Sequence, residues 1–327
     1  MKDASNAIAS EAVTPSSGEP VAAASGRAPV RTGAPSRDRI ALPAGLVLGS
    51  LGVLGFSFSL PATRLAVADL NPWVVAFGRA TVAAVLSALY LAATRAPRPT
   101  REQVRSLAIV ASGVVVGFPL LTSLALEVQT AAHGAVVIAI LPAATAVAAV
   151  ARAHEHPSRR FWLAAGAGLL AVLAFVVIQE MSFPPTPQLG DLFLLAAVVL
   201  CAIGYAEGGA LSRTLGGPTT ICWALVLSLP LTAATTAAAV ALTGLHAGAT
   251  AWLGFAYVST ISMFLGFFAW YAGLARGGVA RIGQVQLAQP VLTLGWSAAL
   301  LGEHVGPATL VTALVVLACV AATQQAR

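Results

Sequence analysis

From residue 41 to residue 323 the chain is a succession of long apolar runs separated by a few polar or basic residues. About 20 apolar residues in a helix cross a bilayer core. Within lipid, every backbone amide must find its partner inside the protein, so only helices or a closed barrel can span it. Barrel strands need alternating stretches of about 10 residues, and these runs are longer and continuous. The chain is therefore expected to be an all-α integral membrane protein. Composition agrees: 58% of residues are hydrophobic and 9% charged, where soluble domains carry about 25% charged residues.

Ten transmembrane helices are expected, at about 41–62, 72–94, 105–126, 131–151, 161–179, 190–212, 219–243, 250–274, 280–301 and 306–323. Most linkers are short, which makes consecutive spans antiparallel. Residues 1–39 are rich in Ala, Ser, Pro and Gly with scattered charge, and lack the apolar core of a signal peptide. They read as a disordered cytoplasmic tail.

Basic residues fix an orientation. Cytoplasmic loops collect Lys and Arg. With the tail inside, Lys2, Arg27, Arg31, Arg37, Arg39, Arg95, Arg98, Arg101, Arg105, Arg152, Arg159, Arg160, Arg213, Arg276, Arg281 and Arg327 all fall on the cytoplasmic side. Only Arg64, at the outer end of the first span, and Arg79, inside the second, do not. Outer loops carry Asp69, Glu127, Glu180, Asp191 and Glu303. Both termini are expected in the cytoplasm of a cell in whose plasma membrane the chain sits. The net charge of +6 is thus spread over short loops, not gathered on one basic face, and nucleic acid is not an expected partner. Cys201, Cys222 and Cys319 lie in apolar runs without CxxC spacing, so they suggest neither disulfides nor a metal site.

The halves resemble each other. A shift of 148 positions brings Ala132 onto Ala280, Pro142 onto Pro290, Thr145 onto Thr293, Glu155 onto Glu303 and His156 onto His304. Each half holds five spans, an odd number, so the second copy is expected to enter the membrane inverted. The expected units are 40–180 and 188–327, each one five-helix repeat. Inverted repeats are a common plan of secondary transporters, with the substrate site near the midplane between the copies.

Four stretches carry a family resemblance: "GLVLGSLGVLGFSFSLPATRLAVADLNPWVVAFGRA", "SLALEVQTAAHGAVVIAILPAATAVAA", "FFAWYAGLARGGVARIGQVQLAQPVLTLGWSAALLGEHV" and "GDLFLLAAVVLCAIGYAEGGALSR". On these the chain resembles the EamA-type branch of the drug/metabolite transporter superfamily, over everything but the tail. The resemblance implies transport of a small metabolite, amino acid, sugar or drug, without selecting among them. One departure is "AHEH", where His154 stands in place of the family's glycine before Glu155.

Span 9 contains "GQVQLAQPVLTLGWS". Pro290 lies ten residues in, about 15 Å, half of a roughly 30 Å core. It cannot donate to the carbonyl of Gln286, which is expected to be left short of a partner. Gln286, Gln289, Thr293 and Trp296 share one face, and Gln284 points elsewhere. Unpaired amides are costly in lipid, so this face looks at protein or at a wet cavity. Lining a central substrate pathway is the preferred use, and gluing span 9 to a neighbour is the other. Pro142 and Pro290 are the expected hinges.

Other polar residues within the spans are functional candidates by position. Glu207 could carry a coupling proton or pair with a basic loop. Arg79 matches the arginine common at this place in EamA-like proteins, and could meet a substrate carboxylate or hold neighbouring carbonyls. His133 and Arg281, repeat equivalents, could gate or simply end their helices. Trp270 and Tyr271 could stack on a substrate or pack in the bundle. Ser57 and Ser59 could face the cavity. No cofactor is expected. The "AHEHPSRR" loop has no metal-site spacing, and no Walker A motif appears. The expected function is alternating-access export of an amino-acid-like metabolite or a drug, with proton coupling open and a homodimer permitted. Uptake of a small organic solute is the nearest alternative. An integral membrane enzyme is more distant, since no cluster of His, Asp or Glu gathers at one interface outside 154–156.

Overall fold

The computed structural model describes residues 37–129, 131–180 and 189–301, and single helical positions between 311 and 325. His133 is described in its backbone alone. The tail, Glu303 and most of the last expected span lie outside the described residues.

Every expected span from 41 to 301 is helical. The helices are α1 (Arg37–Ser57), α2 (Ser59–Val67), α3 (Pro72–Thr94), α4 (Arg101–Val110), α5 (Phe118–Val128), α6 (Ala131–Ile138) and α7 (Leu141–Arg152) in the first half. They continue with α8 (Arg159–Glu180), α9 (Leu189–Leu215), α10 (Gly217–Thr243), α11 (Ala249–Tyr257), α12 (Gly266–Gly277), α13 (Val279–Gly283) and α14 (Gln289–Leu301). Among the described residues, six continuous segments are long and apolar enough to cross a membrane: 42–67, 72–94, 101–128, 189–215, 217–243 and 249–277. The fold is all-helical.

Local sequence sets the ends. The Asn71 side chain accepts the Trp73 N–H at 2.9 Å and Pro72 takes the first helical position of α3. Thr100 and Gln103 bond each other's backbone N–H groups at the start of α4.

The repeat is visible in the irregularities. The segments α6–α7 and α13–α14 both break just ahead of their prolines, Pro142 and Pro290. In the first, the Ile140 N–H turns back to the Val137 carbonyl at 3.2 Å. In the second, a 3-10 turn over Gln284–Ala288 brings the Gln289 N–H to the Gln286 carbonyl. The expected orphan is therefore corrected: tightening to an i+3 bond supplies the partner that Pro290 cannot. Wide π turns occupy Ala111–Gly117 between α4 and α5 and Val258–Leu265 between α11 and α12, again at equivalent places of the two halves. One break has no counterpart. The first span is interrupted at Phe58, between α1 and α2, whereas α9 runs unbroken.

Packing follows the same symmetry. The α3–α10 and α7–α13 contacts join equivalent spans, and α1–α12 exchanges with α5–α9 when the halves are swapped. Small residues let the backbones meet at α1–α12. A methyl group on Gly273 would lie 2.7 Å from the Gly49 nitrogen, and one on Gly45 would lie 2.9 Å from the Gly277 nitrogen.

The bundle has two distinct ends. At one, Glu155 meets Arg213 and Val279, and the Trp223 indole N–H reaches the Pro97 carbonyl at 3.1 Å. At the other, Asp69 accepts the Gly248 N–H at 2.8 Å, Arg64 donates to the Leu126 carbonyl at 2.6 Å, and Gln129 donates to Asp191 at 3.0 Å.

Candidate functional site

A cleft lies between the halves. Phe56, Ser59, Leu60 and Thr63 line it from the broken first span, Arg79 from α3, and Val114, Phe118 and Thr122 from the third span. Leu141, Cys201, Tyr205, Ser262, Met263, Phe267 and Gln289 complete the wall. It holds about 530 Å3 of space, counted up to its open mouth. Gln289, Leu141 and Cys201 stand near the middles of their spans, while Thr63, Arg79 and Thr122 belong to the half nearer Asp69. The cleft thus runs from the midplane toward the Asp69 end.

Among the described residues, Arg79 is the one charged residue in this wall. It sits seven residues inside α3, about 10 Å from the Asp69 end, and is 3% exposed. One of its guanidinium N–H groups reaches the Thr63 hydroxyl at 3.3 Å, and Nε has no partner. No acidic side chain approaches it among the described residues. A buried cation without a counter-ion is costly, so the geometry leaves donors aimed at a group the described residues do not supply.

The floor is built by the two broken helices. Gln286, Gln289 and Thr293, joined by Pro290, face Leu60, Ile138 and Pro142 across a second crevice that shares Leu60, Leu141 and Gln289 with the cleft. The Gln286 amide donates to the Tyr205 hydroxyl at 3.4 Å, and its carbonyl oxygen is unpartnered, as is that of Gln289. Thr293 donates to the Ser57 carbonyl at 2.7 Å, beside the Phe58 break. Gln284 turns away and donates to the Pro142 carbonyl at 3.1 Å, tying one kink to the other. Ser59 donates to Ser262 at 2.7 Å, linking the first span to the π turn of the second half.

The Glu155 end is closed by a clamp. One carboxylate oxygen accepts from Arg213 at 2.5 Å and from the Val279 N–H at 2.7 Å. The other accepts the Ala280 N–H at 2.7 Å. Gly278, at φ +87°, precedes α13 and brings no side chain of its own, so Glu155 caps α13 from the opposite half.

The remaining sequence candidates lie outside the cleft. Trp270 and Tyr271 are fully buried. Trp270 packs against Phe56 and Tyr205, and the Tyr271 hydroxyl donates to the Gly204 carbonyl at 3.1 Å. Trp296 is half-exposed and its indole N–H reaches the Ser57 hydroxyl at 2.9 Å. Glu207 lies 3.6 Å from Arg152 toward the Glu155 end. Arg281 follows the capped N–H groups in α13, and the His133 side chain is outside the described set.

Sequence reading missed the clamp, because Glu155 and Ala280 are far apart in the chain. The signal available was the Glu155–Glu303 repeat match beside an N-capless helix start. It also missed Thr63, Thr122, Tyr205 and Phe267, which carry no motif.

The comparisons with known proteins agree with this architecture. The model of the EamA-like transporter family matches residues 43–177 and again 188–323. A curated relative, described as the uncharacterized transporter YdeK of Bacillus subtilis (strain 168), is 46% identical over 281 residues, covering 86% of this chain and 97% of the relative. A crystal structure superposes with a TM-score of 0.70 at 17% identity, covering 86% of this chain and 98% of that one, which supports the fold. The chain belongs to the EamA-like transporter family. It is a multi-pass membrane transporter, not an enzyme, and the family model matches it once in each half.

Proposed function

We propose that this member of the EamA-like transporter family is a ten-helix secondary transporter of the plasma membrane, moving a small organic solute outward by alternating access. The cleft is its binding site, with Arg79, Gln289 and the hydroxyls of Ser59, Thr63 and Thr122 as polar contacts and Phe56, Phe118 and Phe267 as apolar ones. The observation that carries this reading is a cleft lined by both repeats that reaches the midplane from one end while the other end is clamped by Glu155. That is what one of two alternating states requires.

The Glu155 end is placed in the cytoplasm on charge. Arg95, Arg98, Arg101, Arg152, Arg159, Arg160, Arg213 and Arg276 lie toward it, against Arg64 with Asp69 and Glu127 at the other end. The state described is then open outward, and the Glu155 clamp is the inner closure. Pro142 and Pro290 are the hinges, since both helices already break there and the bonds around them are i+3, not continuous α-helix. Glu207, paired with Arg152 away from the cleft, is given no coupling role.

The test is solute counterflow. Purified full-length protein is reconstituted in liposomes loaded with unlabelled solute, over a panel of small organic acids, amino acids and amines. Transient uptake of the labelled form of one of them, absent in Arg79→Gln and in empty liposomes, is the expected result. Absence of counterflow for every member of the panel would count against transport through this cleft.

A further inference from the structure

We infer that the substrate of the Arg79 cleft is an organic monoanion with an apolar or aromatic body, and that it is carried alone, so that each cycle moves one negative charge. The inference rests on the transport reading above and names the substrate class of that site.

The described residues of the wall supply one full charge, on Arg79, and it is positive. A guanidinium has five N–H donors, and this one has a single acceptor, the Thr63 hydroxyl at 3.3 Å, although it is 3% exposed. Planar carboxylate, sulfonate or phosphate oxygens match that fork. Among the described residues no Asp or Glu lines the cleft, and its other polar groups are hydroxyls, a thiol and the Gln289 amide. A cationic solute would meet an uncompensated positive charge there. A zwitterion would find a charged partner for its anionic end and only neutral acceptors, such as the unpartnered Gln289 carbonyl oxygen, for its ammonium. Phe56, Phe118, Phe267 and Met263 offer an apolar bed for the rest of the molecule.

Among the described residues no acidic group in the wall can bring a proton across with the anion. The loaded site is neutral and the empty site carries the charge of Arg79, so the net movement per cycle is that of the anion. An inside-negative membrane potential expels an anion. Export then needs no coupling ion, since the potential alone supplies the direction.

The test uses three probes on the reconstituted full chain: labelled benzenesulfonate, which stays anionic, benzyltrimethylammonium, which stays cationic, and phenylalanine. Valinomycin and an inward tenfold potassium gradient make the liposome interior positive. Benzenesulfonate is expected to accumulate inside by up to about tenfold, the equilibrium ratio for one charge at that potential. Collapse of the potential should abolish accumulation, and a pH gradient imposed in its place should not restore it. Arg79→Gln should lose the flux. Arg79→Lys, which keeps the charge without the fork, should retain part of it. Thermal stabilisation in detergent checks that the variants fold, and benzenesulfonate should stabilise the wild type and not Arg79→Gln. Transport of benzyltrimethylammonium or phenylalanine with exclusion of benzenesulfonate, or benzenesulfonate flux indifferent to the potential, would overturn this inference and leave the transport reading intact. No flux of any probe, with no stabilisation by benzenesulfonate, would overturn both.

Discussion

The carboxylate of Glu155 accepts the backbone N–H of Ala280 at 2.7 Å across the boundary between the two repeats. The same carboxylate takes the Val279 N–H and the Arg213 guanidinium. Charge-assisted bonds of this kind contribute about 1.5–3 kcal/mol when they replace water contacts. Glu155→Gln keeps one acceptor oxygen and loses the charge. The expected outcome is a lower unfolding temperature in detergent and faster opening at that end, read as increased labelling of a cysteine placed at Ala280. Unchanged labelling would show that the clamp does not hold the closure.

Pro290, the second residue of α14, follows a 3-10 turn, and its missing N–H is the reason for the break. Pro290→Ala restores a donor to the Gln286 carbonyl and favours a continuous helix. Stability should rise by about 1 kcal/mol, and solute flux should fall. Flux equal to the wild type in a stabilised variant would rule out a hinge at this proline.

Gly273 and Gly49 bring α12 and α1 into backbone contact. Because a methyl group on Gly273 would lie 2.7 Å from the Gly49 nitrogen, Gly273→Ala must push the helices apart. Overpacking of this sort costs about 1–3 kcal/mol. The variant should lose thermal stability and folded yield, measured by size-exclusion profile. A wild-type melting curve would contradict the packing described.

Glu207 faces Arg152 at 3.6 Å, with the arginine side chain 44% exposed. A partly exposed pair of this kind contributes little, about 0–1 kcal/mol. Glu207→Gln should therefore leave solute flux within about twofold of wild type, the pair being worth less than a tenfold effect. Loss of pH-gradient-driven flux in this variant would instead assign a proton to Glu207.

Much of the fold is legible in the sequence because bilayer thickness dictates helix length. The span expected at 72–94 is the helix Pro72–Thr94. The breaks were legible too where a proline causes them, at Pro142 and Pro290. The break at Phe58 and the π turns at 111–117 and 258–265 were not read, although Pro61 follows the first and Pro119 the second within three residues; only 258–265 has no proline beside it, and there tertiary packing decides. In the site, Gln286, Gln289 and Thr293 share a face as their spacing implied, because that spacing survives the short 3-10 turn. Trp296, at the same spacing, lies beyond the crevice against Ser57. Arg79 stood out as a charge in an apolar run. What one sequence could not give is which side chains from other spans meet it. The Glu155 clamp escaped for the same reason: its targets are backbone N–H groups, which leave no trace in residue identity.

The most direct measurement is the sidedness of the cleft. Ser59→Cys, on a background with Cys201, Cys222 and Cys319 replaced by alanine, puts a thiol in the cleft wall. A membrane-impermeant thiol reagent is then applied from either side of sealed, oriented vesicles. The expected result is labelling from the Asp69 side alone in this background, labelling from the Glu155 side once Glu155→Gln is added, and protection by bound solute in both. Labelling from the Glu155 side alone before the clamp is removed, or none from either side in either protein, would contradict a cleft that opens alternately to the two faces of the membrane.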